Sequence, residues 1–138
     1  MLARIVAVDY GLKRVGMAWT DPLRISINPL TTISASIFND KIKELIGTGE
    51  VDLVVFGLPT HTDNTLTKVG EKVKAIINNY SKKYPNVQFE TVDESFTSVQ
   101  AKNLLIQLGV KKSERRKKEK VDQMSAVIIL KNYLNSLS

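Results

Sequence analysis

Residues 4–20 carry a short apolar run, IVAV, an Asp-Tyr-Gly step and a second run, RVGMAWT, a pattern that predicts two β-strands joined in a tight hairpin around Gly11. Asp21-Pro22 signals a turn. A third extended segment follows over 24–33, where Pro29 predicts an edge position or a bulge, because proline cannot donate to a strand ladder. Phe38, Ile42, Leu45 and Ile46 recur at helical spacing and predict a helix over 36–46, ended by Gly47 and Gly49. The stretch VDLVVFG at 51–57 is apolar without alternation after its Asp, as a central parallel strand covered on both faces would be. Leu66, Val69, Val73, Ile76 and Tyr80 mark an amphipathic helix that stops before Pro85. A fifth strand is expected over 87–92 and a third helix over 99–108, closed by Gly109. A last helix is expected over 121–137, anchored by Val121, Met124, Val127, Ile128, Leu130 and Leu134. This order predicts one α/β domain over 1–138: a mixed five-stranded sheet, antiparallel in its first part and parallel in its second, with helices on both faces.

At 43% hydrophobic and 25% charged, 138 residues can bury one sizeable core. The absence of Cys removes disulfides, thiolate metal sites and a catalytic thiol. No apolar run is long enough for a membrane span, and Asp9 interrupts the first apolar run before a signal peptide can form, so a soluble, cytoplasmic protein is expected. Lys and Arg number 20 against 14 Asp and Glu, a net charge of +6. The excess is local. The segment 111–120, KKSERRKKEK, holds seven bases and two acids, which leaves 13 bases and 12 acids elsewhere. Such a run has little to bury and is expected as a basic mobile loop or a frayed helix start, serving either as a plain solvated linker or as a contact for a polyanion.

Ligands of open α/β sheets gather at the carboxyl ends of parallel strands, which directs attention to the acids there. Asp9 ends the first strand, Asp93 and Glu94 close the fifth, and Asp122 opens the last helix directly after the basic run. Each has a plain structural alternative: Asp9 as a turn carboxylate, Asp93 as a helix cap in competition with Ser95 and Thr97, Asp122 as a first-turn acid favoured by the macrodipole. Adjacent strand residues point to opposite faces, so at most one of Asp93 and Glu94 is expected to enter a site. Glu94 is the better candidate, because Asp93 suits the cap. Gly11 and Gly16 are compatible with a backbone that approaches a phosphate, with Lys13 and Arg14 supplying charge on the same connection. Ser125 and Ala126 share the Asp122 face, and their small size would let the helix come close to the sheet. Asp9, Glu94 and Asp122, once gathered without balancing cations, repel one another, so that one takes up a proton unless hard divalent cations bind between them. With no Cys and His61 as the only histidine, such a site is all oxygen, which suits Mg²⁺ or Mn²⁺ rather than Zn²⁺. His61 itself, in a polar loop after Pro59, is expected to be a solvated side chain.

Four blocks, VAVDYGLKRVGMA at 6–18, VVFGLP at 54–59, VDESFTS at 92–98 and VDQMSAVIILKNYL at 121–134, resemble the YqgF/RuvX family over nearly the whole chain, with the basic run just before the last block. The resemblance implies a ribonuclease H-like fold, kinship with Holliday junction resolvases, and a nuclease that matures the 5′ end of pre-16S ribosomal RNA in the bacterial cytoplasm. It carries the family's acids onto Asp9, the pair Asp93 and Glu94, and Asp122. Two positions depart from the pattern. Ser95 stands where the family often has Arg after the acidic pair, and THTDNTLT at 60–67 replaces a glycine-containing loop, leaving its hydroxyls and Asn64 as contacts.

The chemistry implied is hydrolysis of a phosphodiester bond in structured nucleic acid, with two Mg²⁺ or Mn²⁺ ions held by Asp9, Glu94 and Asp122. Lys13, Arg14, Lys111, Lys112, Arg115, Arg116, Lys117 and Lys118 are the expected contacts to the nucleic-acid backbone. Alternatives are a resolvase acting on branched DNA and a nucleic-acid-binding module without chemistry. An actin-like ATP-binding domain also uses an Asp-x-Gly hairpin, but it needs two domains around the nucleotide. No membrane partner is expected, and the chain is expected as a monomer or weak homodimer.

Overall fold

The computed structural model describes residues 3–59, 66–93, 97–115 and 117–137. Five strands, β1 (Arg4–Tyr10), β2 (Arg14–Thr20), β3 (Ile27–Ser34), β4 (Val51–Leu58) and β5 (Gln88–Asp93), form one sheet in the order β3-β2-β1-β4-β5. The pairs β1/β2 and β2/β3 are antiparallel, and the pairs β1/β4 and β4/β5 are parallel. The mixed sheet is therefore as expected, with β1 at its centre. Pro29 meets both of its expectations: β3 is an edge strand, and its register against β2 shifts between Met17 and Ala18.

The helices are α1 (Phe38–Gly47), entered through a 3-10 turn at Ala35–Ile37, then α2 (Lys68–Lys83), α3 (Thr97–Gln107), α4 (Lys112–Arg115) and α5 (Lys118–Ser136). Alternation along β1 divides them between the two faces. Val6, Val8 and Tyr10 point to the side where Phe38 and Ile42 of α1 and Val73 and Tyr80 of α2 pack. Phe38 is the hub of that side, with ring centroids 5.4 Å from Tyr10, 6.0 Å from Phe56 and 6.3 Å from Tyr80. Ile5 and Ala7 point to the other side, with Leu53 and Val55, against Ile129, Leu130 and Tyr133 of α5. Helix α3 covers α5 in turn and buries Ala101 and Leu105.

The last helix begins at Lys118, three residues before the expected start at about 121, and the basic segment holds a helical turn, α4, as well as the first turn of α5. A charge-rich helical turn has no apolar periodicity to announce it. The anchors of α5 also shift. Ile128 and Leu130 are buried, Val121, Met124, Val127 and Leu134 are half-buried, and Ile129 and Tyr133 carry the contact with the sheet. Among the described residues no helix is long and apolar enough to cross a membrane.

Candidate active site

Asp9 is half-buried at the penultimate position of β1. The alternation that sends Ile5 and Ala7 toward α5 sends Asp9 to the same side. Its partner across the β1/β2 ladder is Gly16. A Cβ built on Gly16 would lie 2.2 Å from the carbonyl oxygen of Asp122 and 2.9 Å from its Cβ. Opposed residues of an antiparallel pair have Cα atoms about 5 Å apart and share a face. Asp9 and Asp122, separated by more than a hundred positions in sequence, are thus brought together across one missing side chain. Ser125 and Ala126, fully buried one turn further along α5, extend the close approach that their small size predicted.

Gly16 therefore serves helix packing rather than a phosphate. Gly11 has a turn to close: its N–H donates to the Arg14 carbonyl at 2.9 Å, and a Cβ there would meet that oxygen at 2.6 Å.

Alternation also places Asp93. Asp93 is paired with Leu58, which packs on the α1/α2 side, so Asp93 lies on the face opposite to Asp9 and Asp122. Glu94 falls outside the described residues, as do His61, Asn64, Ser95 and Arg116. Among the described residues no group of three acids or histidines converges.

Arg14 occupies a place the sequence did not assign to it. Its Nε donates to Oδ2 of Asp122 at 3.0 Å, so a resident cation already balances one of the carboxylates. Thr32 Oγ1 donates to the carbonyl of Glu119 at 2.9 Å and ties the first turn of α5 to the edge strand.

Beside Asp122 opens a cavity of about 580 Å³, lined by Arg14, Lys102, Ile106, Lys112, Arg115, Lys118, Val121 and Asp122. Among the described residues, five cations face one carboxylate. Of the basic residues picked from sequence, Arg14, Lys112, Arg115 and Lys118 reach this lining. Lys13 and Lys111 are exposed and do not line it, and the Lys117 ammonium donates to Glu114 at 3.0 Å, which holds the Glu114 carboxyl below the usual carboxylate range. Lys102 is the member that sequence reasoning missed. Its signal was its place four residues before Ile106, on the flank of the face that buries Ala101 and Leu105.

A five-stranded sheet in this order, with one acid at the end of its central strand and a second on the last helix packed over it, defines a ribonuclease H-like protein. Solved structures agree on that fold. The fowlpox virus Holliday junction resolvase superposes with a TM-score of 0.60 at 15% identity, over 98% of this chain and 99% of that one. The same resolvase in complex with substrate Holliday junction DNA gives 0.57. The family described as RuvX, Holliday junction resolvase, matches residues 3–136, and the chain belongs to that family. Among curated relatives, a protein of Bacteroides fragilis is 36% identical over 135 residues, 98% of each chain, and one of Phocaeicola vulgatus is 38% identical over 98% of this chain and 97% of its own. Both carry the name "Putative pre-16S rRNA nuclease".

Proposed function

We propose that the protein is a hydrolase that cuts phosphodiester bonds of structured nucleic acid, with the precursor of 16S ribosomal RNA in the cytoplasm as its substrate. The names of its full-length relatives support the substrate. The observation that carries the chemistry is Asp122 packed against Gly16, the cross-strand partner of Asp9, at the mouth of a cation-lined cavity. Asp9, Glu94 and Asp122 are the residues that would hold Mg²⁺ or Mn²⁺, an assignment favoured by an all-oxygen donor set and by Asp93 facing away. A divalent ion bound there supplies charge to the reacting phosphate and lowers the pKa of water. The chain's own part is position and charge: β1 and α5 fix two carboxylates on one face, and Arg14, Lys102, Lys112, Arg115 and Lys118 hold the backbone beside them.

The ion pair of Arg14 with Asp122 favours a second reading, a nucleic-acid-binding module without chemistry. One assay separates the two. Cleavage of a structured RNA and of a four-way DNA junction is measured with Mg²⁺ or Mn²⁺ and with EDTA, for the wild type and Asp9→Asn. The nuclease reading expects divalent-dependent cleavage lost in Asp9→Asn, and the preferred polymer identifies the substrate class. Equal products from both proteins refute the assignment.

A further inference from the structure

The cavity and the ion pair share one residue, and that sharing has a chemical consequence. Arg14 lines the cavity, and its guanidinium binds Asp122 through Nε. A guanidinium has five N–H donors in a planar fork and pairs as well with a phosphate as with a carboxylate. The cavity otherwise offers Lys102, Lys112, Arg115 and Lys118 as cations and Ile106 and Val121 as apolar wall. Ile106 is 54% exposed, a large apolar side chain left facing solvent among cations. A lining of that kind fits a phosphate with its attached sugar better than a bare inorganic ion. Its volume, about 580 Å³, lies within the roughly 300–1,000 Å³ of small-ligand sites.

Resting on the nuclease reading, we infer that this cavity seats a backbone phosphate of the nucleic acid next to the cut, and that Arg14 exchanges Asp122 for that phosphate when the cavity fills. In the protein without substrate, Arg14 competes with a divalent ion for Asp122. Substrate removes the competitor. Metal and nucleic acid then strengthen each other's binding, because linkage is reciprocal. Arg14 is on this view a positioning residue for Asp122, and Lys102 is a direct contact to the backbone.

Two binding measurements on the full chain test this. Calorimetric titration of the nucleic-acid-free protein with Mn²⁺ is expected to give an affinity at least about fivefold higher in Arg14→Gln than in the wild type, with Arg14→Lys between them. Fluorescence anisotropy with a labelled RNA hairpin in EDTA is expected to show Lys102→Gln weakened about three- to tenfold, with the salt slope lowered by about one. Lys74→Gln, exposed on α2 across the sheet, is expected to match the wild type. Equal Mn²⁺ affinities in the wild type and Arg14→Gln, with a wild type that cleaves, overturn the exchange and leave the nuclease standing. Equal hairpin affinities for Lys102→Gln and Lys74→Gln remove the cavity as the phosphate seat. Absence of cleavage in the wild type with any divalent ion overturns the nuclease reading itself.

Discussion

Gly16→Ala adds one methyl group at the point where β2 meets α5, and the structure gives the size of the disturbance. The new Cβ would sit 2.2 Å from the carbonyl oxygen, 2.5 Å from the carbonyl carbon and 2.9 Å from the Cβ of Asp122. The first two are backbone atoms of a helix, so no flexible side chain can swing aside. Restoring ordinary contact at 3.4 Å from 2.2 Å asks for a displacement of 1.2 Å, the difference of the two. Overpacking of this kind costs about 1–3 kcal/mol. A misplacement of about 1 Å at a reacting centre costs on the order of 10²-fold in rate. The variant is therefore expected to lose about 1–3 kcal/mol in urea unfolding and to cleave a structured RNA roughly a hundredfold more slowly. Gly47→Ala is the companion, because nothing lies within 4 Å of a Cβ at that end of α1, and alanine should stabilise it by about 0.5–1 kcal/mol. If Gly16→Ala unfolds within about 0.5 kcal/mol of the wild type and cleaves at the same rate, α5 does not fix Asp122 against the sheet as described.

Burial, with Tyr84 and Tyr10 adding to it, pushes the Tyr80 phenol up to about 12, and burial followed by the hydrogen bond and charge of Glu90 does the same for Tyr133. Both phenols hold their protons more tightly folded than unfolded, where tyrosine ionises near 10, so their stabilising effect is whole below pH 10 and lost as the pH rises through 12. Urea-unfolding midpoints measured across that window should fall, and the fall should shrink in Tyr80→Phe. Thr20 Oγ1, fully buried, accepts the Ile5 N–H at 3.1 Å. Thr20→Val is therefore expected to cost about 1–3 kcal/mol by leaving a buried donor unpaired, read by the same unfolding assay.

Much of the fold was legible because its strands and first helices carry their periods plainly. β1 and β4 are apolar runs bounded by turn residues, and Phe38, Ile42 and Leu45 are buried at helical spacing as read. The start of α5 was not legible. Lys118, Glu119 and Lys120 are all exposed, so its first turn carries no apolar signal. Tyr133 and Ile129 were missed for a different reason: α5 lies between the sheet and α3, and a helix covered on two sides has no single apolar stripe. The acids Asp9 and Asp122 stood out by position, but nothing in sequence announced that Arg14, four residues before Ala18 on β2, would reach back to a helix 108 positions later. Lys102 was hidden as an ordinary lysine of a helix surface. Long-range partners of charged side chains are set by topology, and local patterns do not encode them.

The two sides of the sheet divide the work between stability and position. On the α1/α2 side, Phe38, Tyr10, Phe56 and Tyr80 fill the space with rings, which bury much area and tolerate no close backbone approach. On the α5 side Gly16 meets Asp122, and Ser125 and Ala126 follow one turn along the helix, residues that bury little area each. Among the described residues the buried Oγ of Ser125 has no hydrogen-bond partner, a cost that alanine would avoid. Small residues at that layer give up apolar burial in return for a helix seated on the sheet, and that seat is what places Asp122 over the partner of Asp9. The stability forgone on this side must come from the aromatic side, which is why disturbing the α5 layer should damage cleavage more than folding, and disturbing the rings the reverse.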